Sequence, residues 1–233
     1  MKTHLTFAVL VTCLSFNASA MDSYRIQYVE NAPKIDADES DSAWLEADTL
    51  TQFSLPWETK IAPATEFKAV WDKNAIYFRY RVVDNNVTTG VGKNAALDSD
   101  RVEIFLARDI DLTEYYTMEI DAKDQIYSAM GAYNKELKKR KYLINYEWPG
   151  LQTNSKKTEY GYLVEGAIPI ETLTKMDLWQ DEEKTSLLCA LMRAEFTKVD
   201  DQLETSWITW RDPKLPFPHF HNPKVYGQCQ LVK

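Results

Sequence analysis

Glycine is scarce in this chain, 7 of 233 residues, and no Gly-rich phosphate-cradling loop is present. Histidine is scarcer still, at His4, His219 and His221. A zinc site built on the last two would need ligands that the sequence does not place nearby. Cys13, Cys189 and Cys229 are the three cysteines, with no Cys-x-x-Cys-His among them, which excludes covalent haem. Nucleophile elbow, zincin helix and ordered calcium-loop signatures are all missing. Basic residues are outnumbered, 27 against 35 acidic, and a net charge of −8 disfavours nucleic acid and anionic membrane surfaces as partners. No apolar run is long enough to span a bilayer.

Aromatic residues are plentiful, with seven Trp, thirteen Tyr and nine Phe. The first twenty residues read as a secretory signal. Lys2 supplies the positive start, Leu5 to Phe16 a short apolar stretch, and Ala18-Ser19-Ala20 a small-residue cleavage site. Cleavage there leaves residues 21–233 as one domain of charge −9, from 26 basic and 35 acidic residues once Lys2 is removed. The expected location is secreted or periplasmic, with no membrane insertion after cleavage. In that oxidising setting Cys189 and Cys229 either pair or remain two buried thiols.

Strand signals dominate the rest. Thr65–Trp71 and Ala75–Val83 alternate around Asp72-Lys73-Asn74 and predict a hairpin, with Phe67, Ala69 and Trp71 sharing a face of the first strand and Ile76, Phe78, Tyr80 and Val82 sharing a face of the second. Further strands are predicted over Arg101–Ala107, Tyr115–Asp121, Gln125–Gly131, Tyr142–Trp148, Gly161–Ile168, Leu187–Phe196, Trp207–Trp210 and Val225–Val232, with Tyr24–Val29 as a first edge strand. Asp36–Ala47 and Ile170–Met176 read as short helical turns, and Lys138–Lys141 as a basic cluster. Many short strands joined by turns predict an all-β fold, an antiparallel two-sheet β-sandwich with short helical turns.

Trp207, Trp210, Arg211, His219, Phe220, His221 and Asn222 crowd into one segment with four prolines between Pro213 and Pro223. Flat rings for the C–H face of a pyranose, amides and charges for its hydroxyls, and proline stiffening all suit sugar binding. The alternative is a loop whose aromatics merely pack on the end of the fold. Glu103 faces opposite to Val102 and Ile104. It is either free to bond a hydroxyl or tied to Arg101 or Arg193. Trp44 and Trp71 fit the core. Asp36, Asp38, Asp41, Asp109 and Asp111 are either solvated loop residues or oxygen donors for calcium.

Four ordered stretches carry a family resemblance. They are Lys34-Ile35-Asp36 with Trp44; Ala69-Val70-Trp71-Asp72 with Ile76-Tyr77-Phe78; Asp100 to Leu106 with Tyr115 to Asp121; and Arg193-Ala194-Glu195-Phe196 with Trp207 to Trp210, Pro213 and Pro218 to Gly227. In this order the chain resembles the family-9-like carbohydrate-binding modules. The resemblance implies a two-sheet sandwich, a sugar held between two tryptophans, structural calcium, and a sugar contact at Glu103. This sequence departs from it in having Leu97 and Phe220 where the clamp tryptophans belong, and Glu119 where a basic residue belongs.

The leading expectation is therefore non-catalytic binding of a sugar or polysaccharide by an exported module serving carbohydrate catabolism. The expected ligand-binding residues are Glu103, Trp207, Trp210, Arg211, Phe220, His221 and Asn222, with calcium a candidate cofactor. Two rivals stand beside it. One is a b-type haem electron-transfer sandwich, a related fold using methionine and lysine ligands, for which Met118, Met130 and Met192 are candidates. The other is an accessory subunit of a glycoside hydrolase, since 213 residues in one sandwich leave no room for a catalytic domain.

Overall fold

The computed structural model describes residues 21–179, 186–200 and 202–233. The predicted signal segment lies outside them. The described residues form twelve strands: β1 (Ser23–Tyr28), β2 (Thr65–Trp71), β3 (Ala75–Val83), β4 (Arg101–Ala107), β5 (Tyr115–Asp121), β6 (Ile126–Asn134), β7 (Lys139–Asn145), β8 (Gln152–Thr158), β9 (Gly161–Pro169), β10 (Ser186–Val199), β11 (Gln202–Thr209) and β12 (Gly227–Val232). One short α-helix, α1 (Ile170–Lys175), and three 3-10 turns complete them. The all-β expectation holds. No helix among the described residues is long and apolar enough to cross a membrane.

The strands hydrogen-bond in one path, β7-β6-β5-β4-β10-β12-β1-β2-β3-β9-β8, with β11 joined to β10. β1 runs parallel to both β12 and β2, and every other strand pair is antiparallel. The sheet is thus mixed rather than purely antiparallel, and β1 lies inside it rather than at an edge. Its weak alternation in sequence gave no sign of parallel partners more than forty residues away.

The path curls so that its two wings face one another. Alternation then sorts the side chains. Val102, Ile104 and Leu106 of β4 and Met118 and Ile120 of β5 meet Phe67, Ala69 and Trp71 of β2 and Phe78, Tyr80 and Val82 of β3 in the main core. Trp71 packs there as expected, and Trp44 is buried in a smaller cluster on the outer side of β2 and β3. Cys189 and Cys229, on adjacent strands, form a disulfide at the edge of the main core, with Cα atoms 5.9 Å apart.

The same alternation sends the other residues of β4 and β5 to the opposite face. There Phe105, Ala107 and Tyr115 join Met192, Phe220, Val225 and Tyr226 in a second core. Beyond this patch the face is polar and open, and it carries the candidate site.

Candidate functional site

Arg101, Glu103 and Glu119 line the floor of an open cleft of about 680 Å³. That volume is in the range of small-molecule sites. Antiparallel register sets Glu103 of β4 directly against Glu119 of β5. Two facing carboxylates repel each other. Arg101 answers both: its Nε donates to Glu119 Oε2 at 2.7 Å, and its Nη2 lies 2.9 Å from Glu103 Oε1. Glu103 Oε1 is buried and has no hydrogen-bond partner beyond this ion pair. Burial, then the neighbouring Glu119, push the Glu103 carboxyl up to about 8 against the pull of Arg101. Burial raises Glu119 as well. A floor of this kind presents an acceptor and a protonated donor side by side, the pair a sugar hydroxyl uses.

The aromatic wall comes from β11 and the proline-rich loop. Trp207 and Phe220 meet edge to face at 5.1 Å. Trp57 backs Phe220 at 6.2 Å and donates its Nε1 hydrogen to the Leu215 carbonyl at 2.9 Å, pinning the loop from outside. Arg101 sits 5.8 Å from the Trp207 ring, joining wall to floor. Pro218, His219, His221 and Leu97 complete this side. Leu97 is thus at the cleft, where the resemblance places a tryptophan.

His221 is held by its surroundings. Its Nδ1 lies 2.9 Å from the Tyr115 hydroxyl, and its ring lies 5.2 Å from Phe105. The Tyr115 ring reaches this position because Gly131, its cross-strand partner, has no Cβ: one built there would lie 2.6 Å from that ring. Burial, with Arg140 adding, pushes the His221 imidazole down to about 3, and the same two causes lower His219. Both rings are neutral at physiological pH and offer hydrogen bonds rather than charge.

The opposite wall is Tyr127 of β6 and Lys139, Arg140 and Leu143 of β7.

Of the expected ligand-binding residues, the structure gathers Glu103, Trp207, Phe220 and His221 at the cleft and places three elsewhere. Trp210 is buried in the main core over Gly227. Arg211 ties the chain together, donating to Asp22 and to the carbonyls of Lys224 and Tyr226. Asn222 caps the turn Pro223–Val225 and donates to the Tyr133 hydroxyl. Residues that alternate on β10 and β11 or turn back in the loop diverge in space, which composition alone does not reveal. Arg101, Glu119, Tyr127 and Arg140 join the site through strand register; in the sequence Arg101 stands out only as a candidate partner of Glu103, Glu119 only through the resemblance, Arg140 only within the basic cluster, and Tyr127 not at all.

The calcium expectation finds no support in the five loop aspartates. Asp36, Asp38, Asp41 and Asp109 accept backbone N–H bonds within their own turns, and Asp111 pairs with Lys135. Carboxylates do converge at Asp84, Asp100 and Glu195, whose oxygens lie within 4.8 Å of one another. Arg193, wholly buried, reaches into that group, pairing with Glu195 and lying 3.9 Å from Asp84. Asp100 is spent on the Thr88 and Phe196 amides. Arg193 already supplies positive charge to Glu195 and Asp84, and of the oxygens in the set Asp84 Oδ2 is buried without a hydrogen bond, which is far from the six to eight oxygens of a calcium shell. For the haem alternative, Met118 and Met192 are wholly buried, Met130 packs on the main core, and none of them lines the cleft.

Comparisons with known proteins bear on the fold and the family. No curated protein sequence matches the chain. A family-9 carbohydrate-binding module from Caldicellulosiruptor kristjanssonii, solved with glucose, is similar at 17% identity and a TM-score of 0.61, over 91% of this chain and 96% of that one. The same organism's module with cellotriose gives 16%, 0.61, 90% and 93%. A candidate carbohydrate-binding protein from Bacteroides uniformis gives 16% identity and a TM-score of 0.69, over 91% of this chain and 100% of that one. At such identities these likenesses establish the fold. The model of the family described as carbohydrate family 9 binding domain-like matches residues 35–233. The chain belongs to that family.

Proposed function

We propose that this protein binds a sugar in the cleft over β4 and β5 and performs no chemistry on it. The observation that carries this reading is the pairing of an aromatic wall, Trp207 against Phe220, with a buried carboxylate floor in which Glu103 Oε1 has no partner beyond its ion pair with Arg101. A pyranose has one face of C–H bonds and a rim of hydroxyls. The wall takes the first by apolar contact, and the floor takes the second. Family membership and the sugar-bound relatives support the same substrate class. The residues assigned to binding are Glu103, Trp207, Phe220 and His221, joined by Arg101 and Glu119.

The fold reading that accompanies this is a sandwich, in which the two wings of the curled sheet act as facing layers. The cellular reading is an exported binding module, secreted or periplasmic, that serves carbohydrate catabolism beside enzymes made elsewhere. The test is a glycan array probed with the protein beginning at Met21, with calcium and again with chelator. Specific binding unchanged by chelator is the expected result. A blank array from folded protein would end the sugar reading, and binding lost in chelator would contradict the assignment of Arg193 to the carboxylate cluster.

A further inference from the structure

The basic wall of the cleft has a cause in the backbone. In β7, Arg140 pairs with Tyr133, Tyr142 with Ala132 and Leu143 with Gly131, so Lys141 has no partner and forms a bulge. Tyr133 and Gly131, two apart on β6, share a face. Their partners Arg140 and Leu143 must therefore share a face too, although they are three apart and an unbroken strand would turn them to opposite sides. The bulge turns Arg140 into the cleft, a recognised use of such irregularities. Lys139 lines the cleft beside it.

Among the described residues, the side chains of Arg140 and Lys139 make no ion pair and no hydrogen bond; Arg140 acts on Glu119 of the floor only through space. The floor offsets them only in part: both carboxyls are already paired with Arg101, and three cations, Arg101, Lys139 and Arg140, line the cleft against two carboxyls. His219 and His221 are neutral. The cleft therefore carries uncompensated positive charge in a protein whose net charge is −8. An exposed arginine usually faces solvent or a carboxylate. This one faces a sugar-sized cleft across from an aromatic wall.

We propose that the cleft prefers acidic sugars, with Arg140 bonding the carboxylate of a uronic acid while Trp207 and Phe220 cover its ring. The fork of a guanidinium matches a planar carboxylate with two parallel hydrogen bonds, which a neutral hydroxymethyl group cannot accept. This inference rests on the cleft being the sugar site.

The experiment is calorimetric titration with paired ligands. Glucuronic, galacturonic and mannuronic acids and their short oligomers are each compared with the neutral sugar of the same ring. The wild-type protein is expected to bind at least one uronate about tenfold or more tighter than its neutral counterpart, the gain of a hydrogen bond to a charged group. Arg140→Gln removes that preference, and Arg140→Lys keeps part of it. Raising ionic strength from about 0.05 M to about 0.5 M narrows the preference in the wild type, because the charges are solvent-exposed. Neutral sugars bound as tightly as uronates, or a uronate preference that survives in Arg140→Gln, overturn the inference and leave the sugar reading standing. Binding of neither class overturns both.

Discussion

At the scale of single residues, the aromatic side chains near the C-terminus divide into two groups. Trp207 and Phe220 meet at the cleft, whereas Trp210, three residues from Trp207, packs in the main core. Trp207→Ala removes flat apolar contact worth about 1.5–3 kcal/mol, so glycan affinity falls roughly 10- to 100-fold, as read by calorimetry. Trp210→Ala leaves a cavity over Gly227 instead. It costs about 3–5 kcal/mol of stability and lowers the melting temperature by roughly 10 °C. Gly131→Ala pushes the Tyr115 ring out of place and with it the His221 contact. Its expected effect is a loss of affinity larger than its loss of stability, seen by comparing titration with thermal unfolding.

At the scale of elements, what the sequence reveals depends on whether burial is one-sided. β2, β3, β4, β5 and β9 bury one face in the core or both faces, and their alternation or apolar density marks them within a residue or two. β8 has the sequence Gln-Thr-Asn-Ser-Lys-Lys-Thr, polar throughout, and as an end strand held by β9 it carries no hydrophobic signal. The first half of β11 is invisible for the same reason. β7 begins at Lys139, inside what reads as a basic cluster, because an end strand tolerates charges that a central one does not. The site follows this pattern. Trp207, Phe220 and His221 are legible from composition and Glu103 from resemblance, but the meeting of Glu103 with Glu119 needs register, and the facing of Arg140 needs the bulge.

The disulfide also belongs to this scale. It closes a 40-residue separation between β10 and β12, which in the chain-entropy account is worth about 4 kcal/mol, with measured values often smaller. Replacing both cysteines by alanine is expected to lower the melting temperature by roughly 5–15 °C while leaving glycan affinity near wild type, since neither cysteine lines the cleft.

At the scale of the whole molecule, several buried carboxyls are held above their ordinary range. Burial, the leading cause in each case, pushes Asp100, Glu165 and Glu195 up to about 7 and Glu103 to about 8. The folded state thus binds protons more tightly than the unfolded chain. The stability this contributes is complete below the ordinary carboxyl range and is lost as pH rises through the folded values. Net negative charge grows over the same interval and adds self-repulsion. The melting temperature is therefore expected to be higher near pH 5 than near pH 8, by thermal unfolding at fixed ionic strength. A rise in stability from pH 5 to pH 8 would contradict burial as the dominant influence on these carboxyls.

Sugar binding in the cleft is tested by titrating the glycan that binds best on an array into wild-type protein and Trp207→Ala, with thermal unfolding of both. A clear heat of binding is expected in the wild type, with an affinity lowered roughly 10- to 100-fold in the variant and near-equal melting temperatures. Equal affinities in the two proteins would place the ligand away from the cleft and rule it out as the sugar site.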